Sequence, residues 1–449
     1  MRKPSTVTRT FFLALPLAWS TFSAALADTE QEQKQDIPAL LARIDALETR
    51  LREVEARLPA SERAPLVVLP PETTTAPDRI VEENLDGAVS GSERVAAVAP
   101  QAEPARIDIG GALRYNLVHR DFVDASDGKR GESGFDLFRV NVDGELNNVI
   151  ISAEYRHYSF MQTIRYGWLG YQFADDSQVQ VGINQVPFGL LPYASHNAWF
   201  GVPYYAGLAD DYDMGVKYTR EDGPWSAQLA FYKNEELNDA TDAGRYSIDL
   251  LRSDEQQNEE VNQFNARLAY TLGAGSRCET EVGGSVKLSE LYNSTTDRRG
   301  DQWAGSLHVD SRCGRWNLQL QGVRYEYSPA NPPGVSNNAV RVGAFAGTYD
   351  IASKADILVA NVAYNFEPPA SFIDQLTCYN DYSRLFKDID GSVDSQINTL
   401  GCAIGSGPLF TYVDYIFAKN MAFFGGGSMA ASGEDKWRGR FNVNIGYYW

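Results

Sequence analysis

From Arg106 to Trp449 the chain repeatedly alternates apolar and polar residues, and this period of two constrains the fold more than any other feature. Ile107, Ile109, Gly111, Leu113, Tyr115 and Leu117 interleave with Asp108, Gly110, Ala112, Arg114 and Asn116. Phe138, Val140 and Val142 interleave with Arg139, Asn141 and Asp143, and Val149, Ile151, Ala153 and Tyr155 with Ser152, Glu154 and Arg156. At the far end Phe441, Val443, Ile445, Tyr447 and Trp449 interleave with Arg440, Asn442, Asn444 and Gly446. An extended strand with this period has one apolar and one polar face. Long strands of this kind suit a transmembrane barrel, whose outer face meets lipid and whose inner face meets water; a soluble sandwich uses shorter strands.

Connection lengths point the same way. Short links are predicted at Asn147-Asn148, 175–177, 221–224, 273–279, 311–315, 367–371 and 405–407. Longer, acidic or irregular stretches fall between them at 119–134, 187–211, 233–261, 292–300, 328–355, 383–394 and 419–436, with 159–163 a short exception. Periplasmic turns and outer loops alternate in this way in bacterial barrels. The run Val340–Tyr349 looks like a strand, but placing it in the wall makes the strand number odd. Left inside a folded outer loop, it gives an all-β transmembrane barrel of about sixteen antiparallel strands over 106–449, with both ends on the periplasmic side.

The N-terminal region is organised differently. Arg2, Lys3 and Arg9 precede the apolar stretch Phe11–Ala18 and the small-residue pattern Ala25-Leu26-Ala27, which together predict a secretory signal peptide over 1–27. Ile37, Leu40, Ile44, Leu47, Leu51, Val54 and Leu58 then recur at alternating spacings of three and four, the seam of a short coiled coil within 28–58. Arg43 and Arg50 face Glu48 and Glu55 across that seam in the sense a parallel pairing prefers. Residues 59–105 lose all periodicity and scatter Pro among Ala, Glu and Thr, as a periplasmic linker does. No later segment has the ~18 consecutive apolar residues of a membrane helix. The formal charge of −19 excludes nucleic acid as a partner.

Over 106–449 the chain resembles the phosphate-selective porin O and P family. The resemblance rests on Val181-Gly182-Ile183-Asn184-Gln185-Val186-Pro187-Phe188-Gly189, on Tyr379-Asn380-Asp381-Tyr382-Ser383 followed by Asp394-Ser395, and on the closing run Arg440–Trp449. It implies a sixteen-stranded outer-membrane porin, a homotrimer, often with an N-terminal coiled-coil segment. Phosphate-selective members line their pores with an arginine ladder and a lysine cluster; this sequence has no equivalent basic cluster, and no phosphate ligand is carried over. In porins the loop at the position of 187–211 commonly folds inward, which makes Trp199, Phe200, Tyr204 and Tyr205 constriction candidates.

Arg114, Arg139 and Arg156 fall on the polar faces of the first three strands, and Arg438 and Arg440 on that of the last, which closes beside the first. These five predict a basic strip on one pore wall, unless Asp108, Asp143 and Glu154 on the same face neutralise them. The acidic run Asp239–Glu260 reads as a solvated outer loop, with a divalent-cation contact to lipopolysaccharide as an option. Four cysteines in an oxidising compartment allow two disulfides; spacing does not fix their connectivity, but Cys278 and Cys313 fall in neighbouring short turns on one rim and Cys378 and Cys402 on consecutive strands nearly opposite across their loop, which favours these two pairs. The terminal aromatic Trp449 is expected to be read by the barrel assembly machinery. His157 and Ser159 share a face, but no third member of a hydrolase triad can be assigned, so no enzyme is expected. No His/Cys set has metal spacing and no phosphate-cradling glycine loop occurs, so neither metal nor cofactor is expected. The leading reading is a porin passing small hydrophilic solutes or ions. An anion-preferring channel is the first alternative, and an envelope tether acting through the coiled coil is the second.

Overall fold

The computed structural model describes residues 106–449 apart from 254, 426, 427, 431 and 432; the expected signal peptide, coiled coil and linker lie outside the described residues. In chain order the strands are β1 (Arg106–Arg120), β2 (Glu132–Leu146), β3 (Val149–Tyr158), β4 (Gln162–Gln172), β5 (Ser177–Gln185), β6 (Tyr212–Asp222) and β7 (Trp225–Glu235). They continue with β8 (Asp249–Leu250), β9 (Asn258–Leu272), β10 (Cys278–Asn293), β11 (Arg298–Cys313), β12 (Trp316–Ser328), β13 (Ala339–Ala344) and β14 (Gly347–Ala352). The last five are β15 (Lys354–Phe366), β16 (Gln375–Lys387), β17 (Ser395–Ser406), β18 (Leu409–Lys419) and β19 (Arg438–Tyr448). Sixteen of them form a closed antiparallel barrel in which each strand pairs with its wall neighbours in sequence and β1 meets β19. No helix among the described residues is long and apolar enough to cross a membrane.

The remaining three, β8, β13 and β14, form a small sheet of their own. The run Val340–Tyr349 therefore stands outside the wall, as barrel parity required. The expected long link at 292–300 is instead a tight turn, because β10 and β11 run on to Asn293 and Arg298.

The barrel is apolar outside and polar inside. Ile107, Leu307 and Leu400 are 67 %, 75 % and 57 % exposed, a face tolerable only against lipid. Inward, Asn184, Asn265, Asn293, Gln321 and Thr399 are buried. The seam pairs Ala112 with Tyr448 through Arg120 with Arg440. Gly111 donates its N–H to the Trp449 carbonyl at 3.0 Å. A Cβ at Gly111 would lie 2.4 Å from the Trp449 ring, so only glycine lets the terminal indole lie this close to β1.

Both cysteine pairs are bonded, and each bridges directly opposed residues of neighbouring strands: Cys278–Cys313 across β10 and β11, and Cys378–Cys402 across β16 and β17.

Two loops fold into the lumen. The 186–211 connection packs Val186, Phe188, Leu190, Val202, Tyr204 and Leu208 into a buried cluster with Val340, Val342 and Ile351. The 236–257 connection does the same, which corrects the expectation of a solvated acidic loop. Tyr246, Ile248, Leu250 and Leu251 are buried there, and Leu250 pairs with Val342. The physical reason is that apolar residues interleave with the acids, and β13 offers them an edge.

Candidate functional site

The inward loop is held by wall residues far from it in sequence. Gly189 donates its N–H to Ser285 Oγ at 2.8 Å and Leu190 to Gln321 Oε1 at 2.8 Å, while Arg267 Nε donates to the Gly189 carbonyl at 2.8 Å. Gly189 has φ +63°, and a Cβ there would lie 2.7 Å from the Gln321 amide, so the Pro-Phe-Gly step needs its glycine. Further along, buried Asp381 on β16 accepts from the His196 N–H at 2.6 Å and from Asn197 Nδ2 at 2.7 Å. The His196 ring spans Asp381 Oδ1 at 2.7 Å and Asn317 Oδ1 at 2.6 Å. Burial alone would lower the His196 pKa, but Asp381 and Asn317 outweigh it and raise it, because both ring nitrogens then donate. Val202 N–H donates to Ser383 Oγ at 2.8 Å, completing the span. Asp381 and Ser383 belong to the Tyr379–Ser383 run that stood out in the sequence.

Between this loop and the wall lies a cavity of about 590 Å³. Arg114, Arg139, Arg156 and Arg440 line it, joined by two arginines the sequence reading did not single out, Arg120 and Arg165. Arg438 is not among the lining residues and pairs instead with Glu434 at 3.0 Å. Trp199, Phe200, Tyr204 and Tyr205 all line the loop side, with Phe200 and Tyr204 stacked at 4.3 Å. Tyr204 donates to the Tyr246 carbonyl and Tyr205 to the Trp199 carbonyl, each at 2.9 Å. Burial pushes both hydroxyls up, so they stay neutral donors.

The arginines are only partly neutralised. Arg114 meets Asp136 at 2.9 Å, Arg156 meets Glu154 at 2.6 Å, and Arg165 meets Asp210 at 2.6 Å; Arg139 shares Glu154 at 3.6 Å. Arg120 pairs with Glu132. Of the acids expected to neutralise the strip, Glu154 does so, whereas Asp108 pairs with Arg106 and Asp143 accepts from Ser152. Six guanidinium groups thus meet four carboxylates, which leaves a surplus of positive charge. Arg440 lies within ion-pair distance of no carboxylate among the described residues and sits over the Trp199 ring at 3.6 Å. The Nε atoms of Arg114, Arg120, Arg139, Arg165 and Arg440 are buried without a hydrogen-bond partner among the described residues. The arrangement can hold an anion against flat aromatic surfaces.

Two bulges explain what the sequence concealed. Register slips between Arg114 and Tyr115 leave Asp136 unpaired in β2 and bring it to Arg114. A second slip, between Glu154 and Tyr155, does the same for Arg165 in β4, so strict alternation misplaces it. Arg120 carried a readable signal, since it lies an even number of residues from Arg114. His157 faces outward, and its ring lies 6.1 Å from that of Phe135.

Fold and site together define the class: a closed antiparallel β-barrel with an inward loop and an arginine-lined cavity beside it. The family model of phosphate-selective porin O and P matches residues 114–329, so the resemblance read from the sequence holds over β1 to β12. No curated protein matches the chain. Among solved structures it is similar to the outer-membrane channel DcaP of Acinetobacter baumannii, at 14 % identity and TM-score 0.53, covering 77 % of this chain and 97 % of that one. It is similar to OmpF of Salmonella typhi in complex with daunomycin, at 13 % identity and TM-score 0.53, covering 76 % and 97 %. OmpT of Vibrio cholerae, folded in vitro and in trimer form, matches at 15 % identity and TM-score 0.50, covering 77 % and 100 %. At these identities the likeness speaks to the fold.

Proposed function

We propose that the barrel passes small hydrophilic solutes down their gradient and that its constriction favours anions. The observation that carries the preference is the excess of guanidinium over carboxylate in the cavity, in a chain whose total charge is −19. Field lines in a narrow, low-dielectric passage are set by the nearest charges, so the local surplus outweighs the acidic total. Phosphate is not singled out, since no lysine lines the cavity. The test is the reversal potential of the purified protein in a planar bilayer under a salt gradient. Anion preference supports the reading, and cation preference overturns it.

The trimer implied by the family draws support from the trimer form of OmpT, and the heptad seam Ile37–Leu58 would assist it from the periplasm. The proposed partners are lipid on the apolar outer wall, lipopolysaccharide at the outer loops, and the assembly machinery at Trp449. The tether alternative rests on residues outside those described, and nothing in the fold favours it.

A further inference from the structure

A second group of charges, separate from the arginine cavity, is packed where β6, β7, β9 and β10 meet the 236–257 loop. Asp211, Asp213 and Asp249 each present a carboxylate oxygen, and these oxygens all lie within 4.8 Å of one another. The three residues are buried at 4 %, 3 % and 3 % exposure. Glu235, Glu236 and Glu260 are buried beside them. Two cations pair with five of the six. Arg245 Nη1 lies 3.2 Å from Glu235, 3.7 Å from Glu236 and 3.4 Å from Asp249. Lys287 Nζ lies 3.0 Å from Glu260 and 3.6 Å from Asp211. Asp213 is reached by neither, and receives a hydrogen bond from Gln263 Nε2 at 2.9 Å.

Oxygen acceptors outnumber donors here. Asp211 Oδ1, Glu236 Oε2 and Gln263 Oε1 are buried without a hydrogen-bond partner among the described residues. Gln263 is the independent witness: it is 2 % exposed and uncharged, and its amide lies against Asp213 with the oxygen unused. Like-charged carboxylates buried this closely need a proton or a cation between them. One proton relieves a single pair of these carboxylates, whereas one cation among the three relieves them all and, with the Gln263 amide turned over, takes its oxygen as a ligand.

We propose that Asp211, Asp213, Asp249 and the Gln263 carbonyl oxygen bind one calcium ion. The donors are all hard oxygens, which excludes a preference for zinc or copper. A cage of protein oxygens suits calcium better than magnesium, which surrenders its water reluctantly. The ligands come from the end of the inward loop, from β6, from β8 and from β9, so the ion ties the 236–257 loop to the wall. It also fixes the constriction, because Asp210, next to Asp211, pairs with Arg165 and accepts from the Tyr246 hydroxyl.

The test uses the full chain folded in detergent, stripped with chelator and titrated with calcium chloride. It reads bound ion per chain, the temperature of the heat-modifiable gel shift, and terbium luminescence sensitised by Tyr212. We expect one ion per chain, an upward shift of several degrees, and terbium emission displaced by calcium but not by equal magnesium. Asp211→Asn with Asp249→Asn should abolish all three. Stripped of metal, that variant should outlast stripped wild type, because the amides relieve the repulsion. Asp213→Asn alone is the second variant should the double one fail to fold, and the wild-type stoichiometry stands independently of both. Wild-type protein that binds no calcium overturns the proposal in favour of shared protons, and binding that survives the substitutions overturns it in favour of another site. Neither result depends on ion selectivity, so the channel reading stands or falls separately.

Discussion

Arg440→Gln isolates the contribution of one unpaired charge to selectivity. The side chain sits 3.6 Å over Trp199 and within ion-pair distance of no carboxylate among the described residues, so its removal strands no buried acid. An anion passing about 5 Å away gains about 0.8 kcal/mol even at the dielectric constant of water, and a cation loses as much. At 1.4 kcal/mol per tenfold, that is about a four-fold effect on each ion, or about fourteen-fold on their ratio. That distance is about half the Debye length of ~10 Å at 0.1 M salt, so mobile ions screen little of this. The assay is the reversal potential of single channels under a potassium chloride gradient. The anion-to-cation permeability ratio should fall by between about four-fold and about fourteen-fold, with Arg440→Lys close to wild type. Arg438→Gln, paired with Glu434 and outside the cavity lining, should leave the ratio unchanged. An unaltered ratio in Arg440→Gln, or an equal change in Arg438→Gln, would refute the claim that the cavity charges set selectivity.

Asp381→Ala removes the acceptor shared by the His196 N–H, the His196 ring and Asn197; it should cost about 3–5 kcal/mol in barrel stability and give noisier single-channel currents. The His196 pKa is raised, so its tether is at full strength below about pH 6.5 and weakens as pH rises through the elevated folded value; current noise should grow over that alkaline window in wild type but not in His196→Gln. Reducing both disulfides, which close spans of 35 and 24 residues, should lower the heat-modification temperature by at most the equivalent of about 3–4 kcal/mol per bond. Gly111→Val forces a branched side chain into the Trp449 ring and should slow assembly and lower that temperature, while Gly134→Val, with nothing within 4 Å, should do neither.

The wall was legible because lipid on one side and water on the other impose a period that survives any particular choice of residue. Val340–Tyr349 could be kept out of the wall because closure fixes parity even where strand propensity misleads. The arginines on unbroken stretches, Arg114, Arg139, Arg156 and Arg440, could be assigned a face from spacing alone. Arg165 could not, because a bulge inverts the local register. The loop holding Asp249 was misread because a charge-rich run normally stays in water, and the pairing that buries it, Leu250 against Val342, joins residues far apart in sequence. The Asp211–Asp213–Asp249 cluster follows from that same long-range contact and has no local signature.

The seam between β1 and β19 brings Asn444 to Asn116 across 328 residues of chain. Such a sheet has no free edge once it is finished and two of them at every moment before. Backbone N–H and C=O groups on those edges find no partner in hydrocarbon, so a partly inserted wall gains little from each strand until the last one docks. The barrel therefore matures late and all at once, with the slow kinetics of contacts made at the greatest possible separation. Any lesion in the final strand leaves β1 and β18 both unsatisfied, however sound the other strands are.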